Sequence, residues 1–190
     1  IEDCYTETKR AFYLAEKYQL PVIVLIDKQL AESYTTFNFK DEENKFKFEY
    51  NKRINIITDI KDAQLNSDGL FKRYAQSNLQ RTLPGTPYGK FTCAGDEHDE
   101  VGEITEDAEI RIKMVQRRMD KLKQILSELP TLQTIEDKNA ELTVVSWGSN
   151  YGAIKEAVER LNSEQKKVNF LSLTHLCPFQ TEEVKSILSK

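Results

Sequence analysis

The sequence predicts an α/β protein, and three stretches carry that reading. The run PVIVLI at 21–26 is apolar at every position and rich in β-branched residues. It shows no polar/apolar alternation, as expected of a strand covered on both faces by helices. Residues 142–146, 152–161 and 167–173 read as strand, helix and strand, the pattern of a parallel βαβ unit with a right-handed crossover. Between these regions lies a long helical repeat, 106–129, bounded by a polar start and Pro130.

The first element, over 3–18, is expected to be a helix because Thr8, Ala11, Phe12, Ala15 and Tyr18 recur at three- and four-residue spacing. Pro21 ends it and opens the apolar run. Asp27 then falls at the carboxyl end of a central strand, where ligands gather in open α/β sheets. Capping of the following turn is the plainer role for a single acidic residue. From 33 to 62, Phe37 and Phe39, then Phe46, Phe48 and Tyr50, alternate with polar residues across KDEENK at 40–45. This reads as a hairpin with one wet face, an excursion from the α/β core. Residues 65–95 are irregular and punctuated by Pro84-Gly85 and Pro87-Tyr88-Gly89. A loop of that length in a compact domain is usually functional or lies in an interface.

In the long helix Thr105 is the expected N-cap, and Glu106 and Asp107 suit the positive helix start. Ala108, Ile112, Val115, Met119, Leu122, Leu126 and Leu129 repeat in strict 4-3-4-3 steps. The seam allows two packings, a coiled coil or a helix lying along its own domain, and the shortness of the run favours the second. Arg111, Lys113, Arg117, Arg118, Lys121 and Lys123 are expected to form a solvated face, their field diluted by acidic neighbours. Residues 131–139 read as a polar linker. After the βαβ unit a further helical pattern starts at Thr181 and still runs at Lys190. The second half therefore reads as an incomplete domain, and the whole chain as a piece of a larger one.

Composition limits the function classes. With 39% hydrophobic and 31% charged residues, the 190-residue chain can build a core and is not disordered. A net charge of -4 gives no reason to expect a nucleic-acid surface. No apolar run approaches the ~20 residues that span a bilayer, and no secretory leader is visible. Cys4, Cys93 and Cys177 are odd in number and widely separated. They suggest reduced thiols in a cytoplasmic protein rather than a disulfide framework, a zinc ribbon or an iron–sulfur ligand set.

Two motifs could carry chemistry. In GDEHDEVGEITED, 95–107, seven acidic residues surround one of the two histidines. Glu97, His98, Asp99 and Glu100 are candidate ligands or acid–base groups. Consecutive loop residues point in different directions, however, and neither the HExxH nor the EF-hand spacing is present. The reading preferred here is a helix-entry loop with interface contacts, with no metal. In WGSNYG, 147–152, Gly148 and Ser149 sit at a strand-to-helix turn that could admit a phosphate. Without a GxGxxG or P-loop pattern, a tight βα turn is the simpler reading.

Six stretches in this order resemble one family: AFYLAEKYQLPVIVLID at 11–27, PGT at 84–86, GDEHDEVG at 95–102, RRMDKL at 117–122, WGS at 147–149 and LCPF at 176–179. Nearly the whole chain looks like the later part of the alpha subunit of 2-oxoacid:ferredoxin oxidoreductases, most like the 2-oxoglutarate type. The glycine-flanked Glu-His-Asp-Glu stretch is the most specific element, and 33–62 matches least. The resemblance implies two α/β pieces. Residues 1–138 would be the C-terminal part of a pyrimidine-type thiamine diphosphate domain, with a hairpin excursion and a long exit helix. Residues 139–190 would begin a transketolase C-terminal-like, Rossmann-like domain.

The activity implied is thiamine-diphosphate-dependent oxidative decarboxylation of a 2-oxoacid to its acyl-CoA, with electrons passed to ferredoxin. Partners implied are a beta subunit, ferredoxin and coenzyme A, with no nucleic acid and no membrane. Thiamine diphosphate, Mg2+ and an iron–sulfur cluster are expected chiefly in the beta subunit, and no cofactor in these residues. The family's activating glutamate and substrate-binding residues precede the matched part, so no catalytic residue is assigned. Glu97, His98, Asp99, Glu100, Gly148 and Ser149 remain landmark or interface candidates, and the piece by itself is expected to be inactive. The rival readings are a non-catalytic assembly module of the same fold and a transketolase- or oxoacid-dehydrogenase-like subunit.

Overall fold

The computed structural model describes residues 2–36, 38–40, 47, 53–75 and 79–189. The chain folds as two compact units. One comprises Ile1–Tyr5, Ile23–Phe39 and Lys123–Lys190, the other Thr6–Val22 and Lys40–Leu122.

The first unit is organised by a three-stranded sheet. Its strands are β1 (Gln133–Ile135), β2 (Leu142–Trp147) and β3 (Val168–Leu173), in spatial order β1-β3-β2. β2 pairs with β3 in parallel, Leu142 opposite Val168 through Trp147 opposite Leu173. The connection between them is a helix, Tyr151–Ser163, as a parallel crossover requires. The strand–helix–strand reading therefore holds. β3 is central, and Val168, Phe170, Leu171 and Ser172 are buried along it. Val158 of the crossover helix packs on Val168 and Phe170, with Ile135, Val144, Tyr151, Ile154 and Leu161 around them. Asn162 closes the loop back into β3. Its amide donates to the Val168 carbonyl at 3.0 Å and accepts from the Val168 N–H at 2.8 Å. The helical pattern at the end of the sequence forms Thr181–Leu188.

The stretch read as a linker is not one. β1 pairs antiparallel with β3, Gln133 opposite Ser172 and Ile135 opposite Phe170. Three residues are too few to show a period, and only Ile135 faces the apolar cluster, so the strand is hidden in a polar composition.

The apolar run 21–26 also departs from expectation. It has no regular secondary structure and joins no ladder among the described residues. Ile23 is 81% exposed, and Val24, Leu25 and Ile26 are exposed too. A strand apolar on both faces needs a neighbour on each edge and a layer on each face, and no described residue supplies them. Asp27 follows, capping the short helix α2 (Lys28–Glu32). The expected hairpin falls largely on 37, 41–46 and 48–52, outside the described residues. Phe39 stacks edge-on against Tyr5, ring centroids 5.7 Å apart.

In the second unit, irregular chain packs with helical segments. α1 (Glu2–Tyr18) buries Thr6, Lys9, Leu14 and Tyr18 and leaves Phe12 exposed. Its inner face is thus rotated from the one the spacing suggested. Between Arg53 and Asp107 the only regular element among described residues is a 3-10 turn, Asp62–Gln64. Backbone groups are satisfied by scattered bonds: Ile57 N–H to Arg81, Phe71 N–H to Lys90, Tyr74 N–H to Glu100 and Thr92 N–H to Val101. Phe71 and Val101, both fully buried, anchor this loop region.

The long helix α3 runs Ala108–Leu126. Its cap is Asp107 rather than Thr105. Asp107 Oδ1 accepts from the Glu109 and Ile110 N–H groups, and Thr105 in turn accepts from the Asp107 N–H. More consequential is the face it buries. Met114, Arg117, Lys121 and Ile125 are buried, whereas Ile112, Val115 and Met119 of the apolar seam are 69%, 44% and 52% exposed. The expected packing of the seam along its own domain, and the expected solvation of Arg117 and Lys121, are both reversed. The irregular segments beside α3 present backbone carbonyls that need donors. Arg117 Nε donates to Ala75 O at 3.1 Å, and Lys121 Nζ to Gln19 O at 3.2 Å. Their aliphatic stems supply the packing while the heads brace the loops.

Candidate functional site

The acidic stretch is a folded turn whose carboxylates are engaged at short range. Asp99 Oδ1 accepts from the N–H groups of Val101 and Glu103, and its own N–H donates to Glu103 O at 2.9 Å. His98 bridges antiparallel to Ile104 and turns Nδ1 to the Asp99 carbonyl at 2.8 Å, while its ring lies 4.2 Å from that of Tyr74. Glu100 Oε1 meets Lys72 Nζ at 3.1 Å. Glu97 forms a bidentate pair with Arg118 of α3, which holds its carboxyl below the usual range. Gly102 allows the turn to close: its φ is +90°, and a Cβ there would lie 1.8 Å from Thr92 O. The four candidates at 97–100 thus look to four different partners. Among the described residues no group of three or more His, Cys, Asp or Glu side chains is arranged to hold a metal ion.

Beside this turn the structure gathers residues that the spacing did not single out. Tyr74 donates to, or accepts from, Cys93 Sγ at 3.4 Å, and the guanidinium groups of Arg73 and Arg117 lie 5.4 and 5.7 Å from its ring. Burial, then the Cys93 contact, pushes the Tyr74 hydroxyl up to about 12. Burial and the nearby Arg117, Arg73 and Arg118 bring the Lys121 ammonium down to about 8. Arg117, Arg118 and Lys121 were visible as a cationic cluster. Their target was not, because Tyr74 lies in a loop whose path no periodicity fixes.

The second locus lies in the sheet-containing unit. The turn after β2 is a 3-10 turn, Gly148–Asn150, with Gly148 at φ +77°. Ser149 Oγ donates to Asp27 Oδ2, while Asp27 Oδ1 accepts from Leu30 N–H at 2.8 Å. These bonds, the serine first, lower the Asp27 carboxyl below its usual value. Asp27 is therefore the cap its plainer reading suggested, with Ser149 as an added partner. The geometry of both loci is that of a braced scaffold: charges paired, donors spent on backbone.

The same order of elements occurs in known proteins. Residues 1–117 match the family described as pyruvate flavodoxin/ferredoxin oxidoreductase, thiamine diphosphate-binding. The chain belongs to this family. It is 32% identical to subunit alpha of 2-oxoacid:ferredoxin oxidoreductase 1 from Aeropyrum pernix, over 99% of this chain and 28% of that protein. Against the alpha subunit of the enzyme from Saccharolobus solfataricus it is 30% identical, over 94% of this chain and 28% of the relative. In structure it resembles the 2-oxoglutarate:ferredoxin oxidoreductase of Magnetococcus marinus, solved with 2-oxoglutarate, coenzyme A and succinyl-CoA bound. The TM-score is 0.77 at 28% identity, covering 98% of this chain and 31% of that one. The chain thus spans less than a third of the length of these relatives.

Proposed function

We infer that these residues form part of the alpha subunit of a 2-oxoacid:ferredoxin oxidoreductase whose substrate is 2-oxoglutarate. The observation that carries the reading is the structural likeness, over 98% of this chain, to an enzyme that holds 2-oxoglutarate and succinyl-CoA. In the reaction proposed, the bond from the keto carbon to its carboxylate breaks and releases carbon dioxide. The acyl group ends on the sulfur of coenzyme A, whose thiol proton is released to solvent, and two electrons leave to ferredoxin. Thiamine diphosphate, when bound to the complete complex, supplies the electron sink for the decarboxylation.

Asp27 is the one carboxylate that follows the apolar run 21–26. A magnesium-bound diphosphate needs several oxygen ligands, and Asp27 has both carboxylate oxygens engaged, by Leu30 N–H and by Ser149. The diphosphate, its Mg2+ and an iron–sulfur cluster are accordingly assigned to a beta subunit, with ferredoxin and coenzyme A as further partners. Within the subunit, 1–138 is the end of the thiamine diphosphate domain and 139–190 the start of a transketolase C-terminal-like domain. The turn at Glu97, His98, Asp99 and Glu100, together with Gly148 and Ser149, serves as scaffold or interface. A cytoplasmic setting agrees with three unpaired thiols and with the absence, among the described residues, of a helix long and apolar enough to cross a membrane.

The test is the complete gene product purified with its beta subunit, assayed for coenzyme-A-dependent reduction of a viologen. The expected result is that 2-oxoglutarate gives the highest kcat/KM among 2-oxoacids. A preference for pyruvate by about tenfold or more, on the order of 1.4 kcal/mol, would overturn the substrate reading. Turnover with no 2-oxoacid would favour the assembly-module reading. The 190 residues alone are expected to show no saturable thiamine diphosphate binding by calorimetry in the presence of Mg2+.

A further inference from the structure

We propose that the Asp68–Gly69 peptide is a site of spontaneous aspartate isomerisation, and that the isoaspartate formed there loosens the turn leading to buried Phe71. Asp68 is the only aspartate in the sequence followed by glycine. A glycine has no Cβ to obstruct the approach of its nitrogen to a carboxyl carbon. Nothing lies within 4 Å of the point where a Gly69 Cβ would stand, so the segment has room to rearrange. Asp27, Asp99, Asp107 and Asp137 spend their carboxylates on backbone N–H groups. Asp68, by contrast, is exposed, and its carboxylate takes no hydrogen bond or ion pair among the described residues. It is free to turn back on the nitrogen that follows it. The one bond that must open first, Gly69 N–H to Asn66 O at 3.1 Å, is the longest in the turn.

The reaction is internal to the chain and needs only water. The Gly69 amide nitrogen gives up its proton and bonds to Cγ of the Asp68 carboxyl in its protonated form. The hydroxyl of that carboxyl leaves with the proton as water, and a cyclic imide remains. A second water then adds to the main-chain carbonyl carbon of Asp68. The bond from that carbon to the Gly69 nitrogen breaks, and the nitrogen takes a proton. The backbone now runs through Cγ, and the former main-chain carbonyl carbon carries the free carboxylate. One water is released and one consumed, and nothing is oxidised or reduced. The product inserts a methylene into a turn whose geometry is closely determined. Asn66 N–H donates to Leu70 O at 2.9 Å, Leu70 N–H to Asn66 Oδ1 at 2.8 Å and Lys72 N–H to Gln64 O at 2.8 Å, with Leu65 bridged antiparallel to Phe71. Lengthening one side of such a pairing shifts its register and breaks these bonds.

The test is to hold the complete gene product for weeks at neutral pH and physiological temperature, then digest it with trypsin. Cleavage after Lys61 and Lys72 gives the peptide 62–72, with Asp62 before alanine and Asp68 before glycine. Electron-transfer fragmentation is expected to place isoaspartate at 68, at least about tenfold more than at 62. Hydrogen exchange of the aged protein is expected to quicken at the Leu70 and Lys72 amides, which report the turn. Asp68→Glu would have to close a larger ring, and it leaves the turn's backbone bonds in place. That variant is expected to age without isomerising and to keep its protection. Absence of isoaspartate at 68 in the aged protein overturns the proposal, even where a synthetic peptide of residues 62–72 forms it, because the turn would then block the reaction. Equal isomerisation at Asp62 overturns it too. Unchanged exchange in the isomerised protein, or the same loss of protection in aged Asp68→Glu, overturns the link to the turn. Neither readout involves turnover, so the proposal stands or falls separately from the substrate reading.

Discussion

Arg118 holds Glu97 with both ends of its guanidinium, Nη1 to Oε1 at 2.9 Å and Nη2 to Oε2 at 2.7 Å. The pair ties the acidic turn to the middle of α3, across 21 residues of sequence. Bidentate geometry is the strongest form of this contact, though Arg118 is half-exposed and screening limits its worth. Glu97→Gln is expected to cost about 0.5–1 kcal/mol at neutral pH in urea denaturation. The acid limb follows from the sign of the shift. The carboxyl of folded Glu97 lies below its ordinary value, so its contribution is present above that value and is lost as pH falls through the folded pKa. Glu97→Gln should flatten the loss of stability in that window. An unchanged acid limb would show that the pair contributes nothing to folding.

Gly102 makes a sharper test of the turn. At φ +90° an L side chain is strained, and its Cβ would meet Thr92 O at 1.8 Å, a backbone atom that cannot swing away. Gly69, at φ +73°, has open space around the same position. Gly69→Ala should therefore cost only the left-handed backbone penalty, about 1–2 kcal/mol. Gly102→Ala adds a backbone clash and should exceed it by at least about 2 kcal/mol, or fail to give folded protein. Chemical denaturation of the two variants in parallel decides the matter. Equal losses would mean that the Thr92 carbonyl does not approach as described.

How much of this was legible depended on what each residue answers to. The β2–helix–β3 unit was readable because Val144, Val158, Val168 and Phe170 bury one another, so pattern and packing agree. The long helix was readable as a helix, and its face was not. An apolar stripe states that something covers Ile112, Val115 and Met119, not that the same chain does. The buried face instead carries Arg117 and Lys121, which donate to the Ala75 and Gln19 carbonyls. The run at 22–26 is a similar case: its composition reads as a buried strand, and no described residue pairs with it. Among the site candidates, the stretch Glu97, His98, Asp99 and Glu100 was legible as a loop leading into the helix, though not which partner each side chain takes. Tyr74, the hub beside them, lies in a loop without periodicity.

Asp27 and Ser149 join positions 122 residues apart. The serine hydroxyl is the foremost cause of the lowered Asp27 carboxyl, ahead of the Leu30 N–H. Ser149→Ala should raise that pKa toward its usual value while α2 keeps its cap. Carbon-detected NMR titration of the Asp27 carboxyl reads the shift directly. A carboxyl that titrates identically in wild type and variant would remove the hydrogen bond from the account.

Lys121 and Tyr74 give the second unit a pH signature with two limbs of opposite sign. The Lys121 ammonium is brought from 10.5 down to about 8, chiefly by burial. Between those values the unfolded chain holds a proton that the folded protein has released, so stability rises with pH. Tyr74 is raised from 10.0 to about 12, again chiefly by burial. Between those values the folded protein holds a proton that the unfolded chain has lost, so stability falls as pH rises. The two contributions together should climb above pH 8 and turn over near pH 10. Lys121→Met should remove the rising limb, whatever its offset at pH 7, where relief of the buried charge opposes loss of the donor to the Gln19 carbonyl. Tyr74→Phe should remove the falling limb and leave the rising one. Urea denaturation of the three proteins from pH 7 to 11 separates the two groups. A wild-type profile that declines steadily across the whole range, with Lys121→Met parallel to it, would show that the Lys121 amine is solvated and that α3 does not bury the face assigned to it.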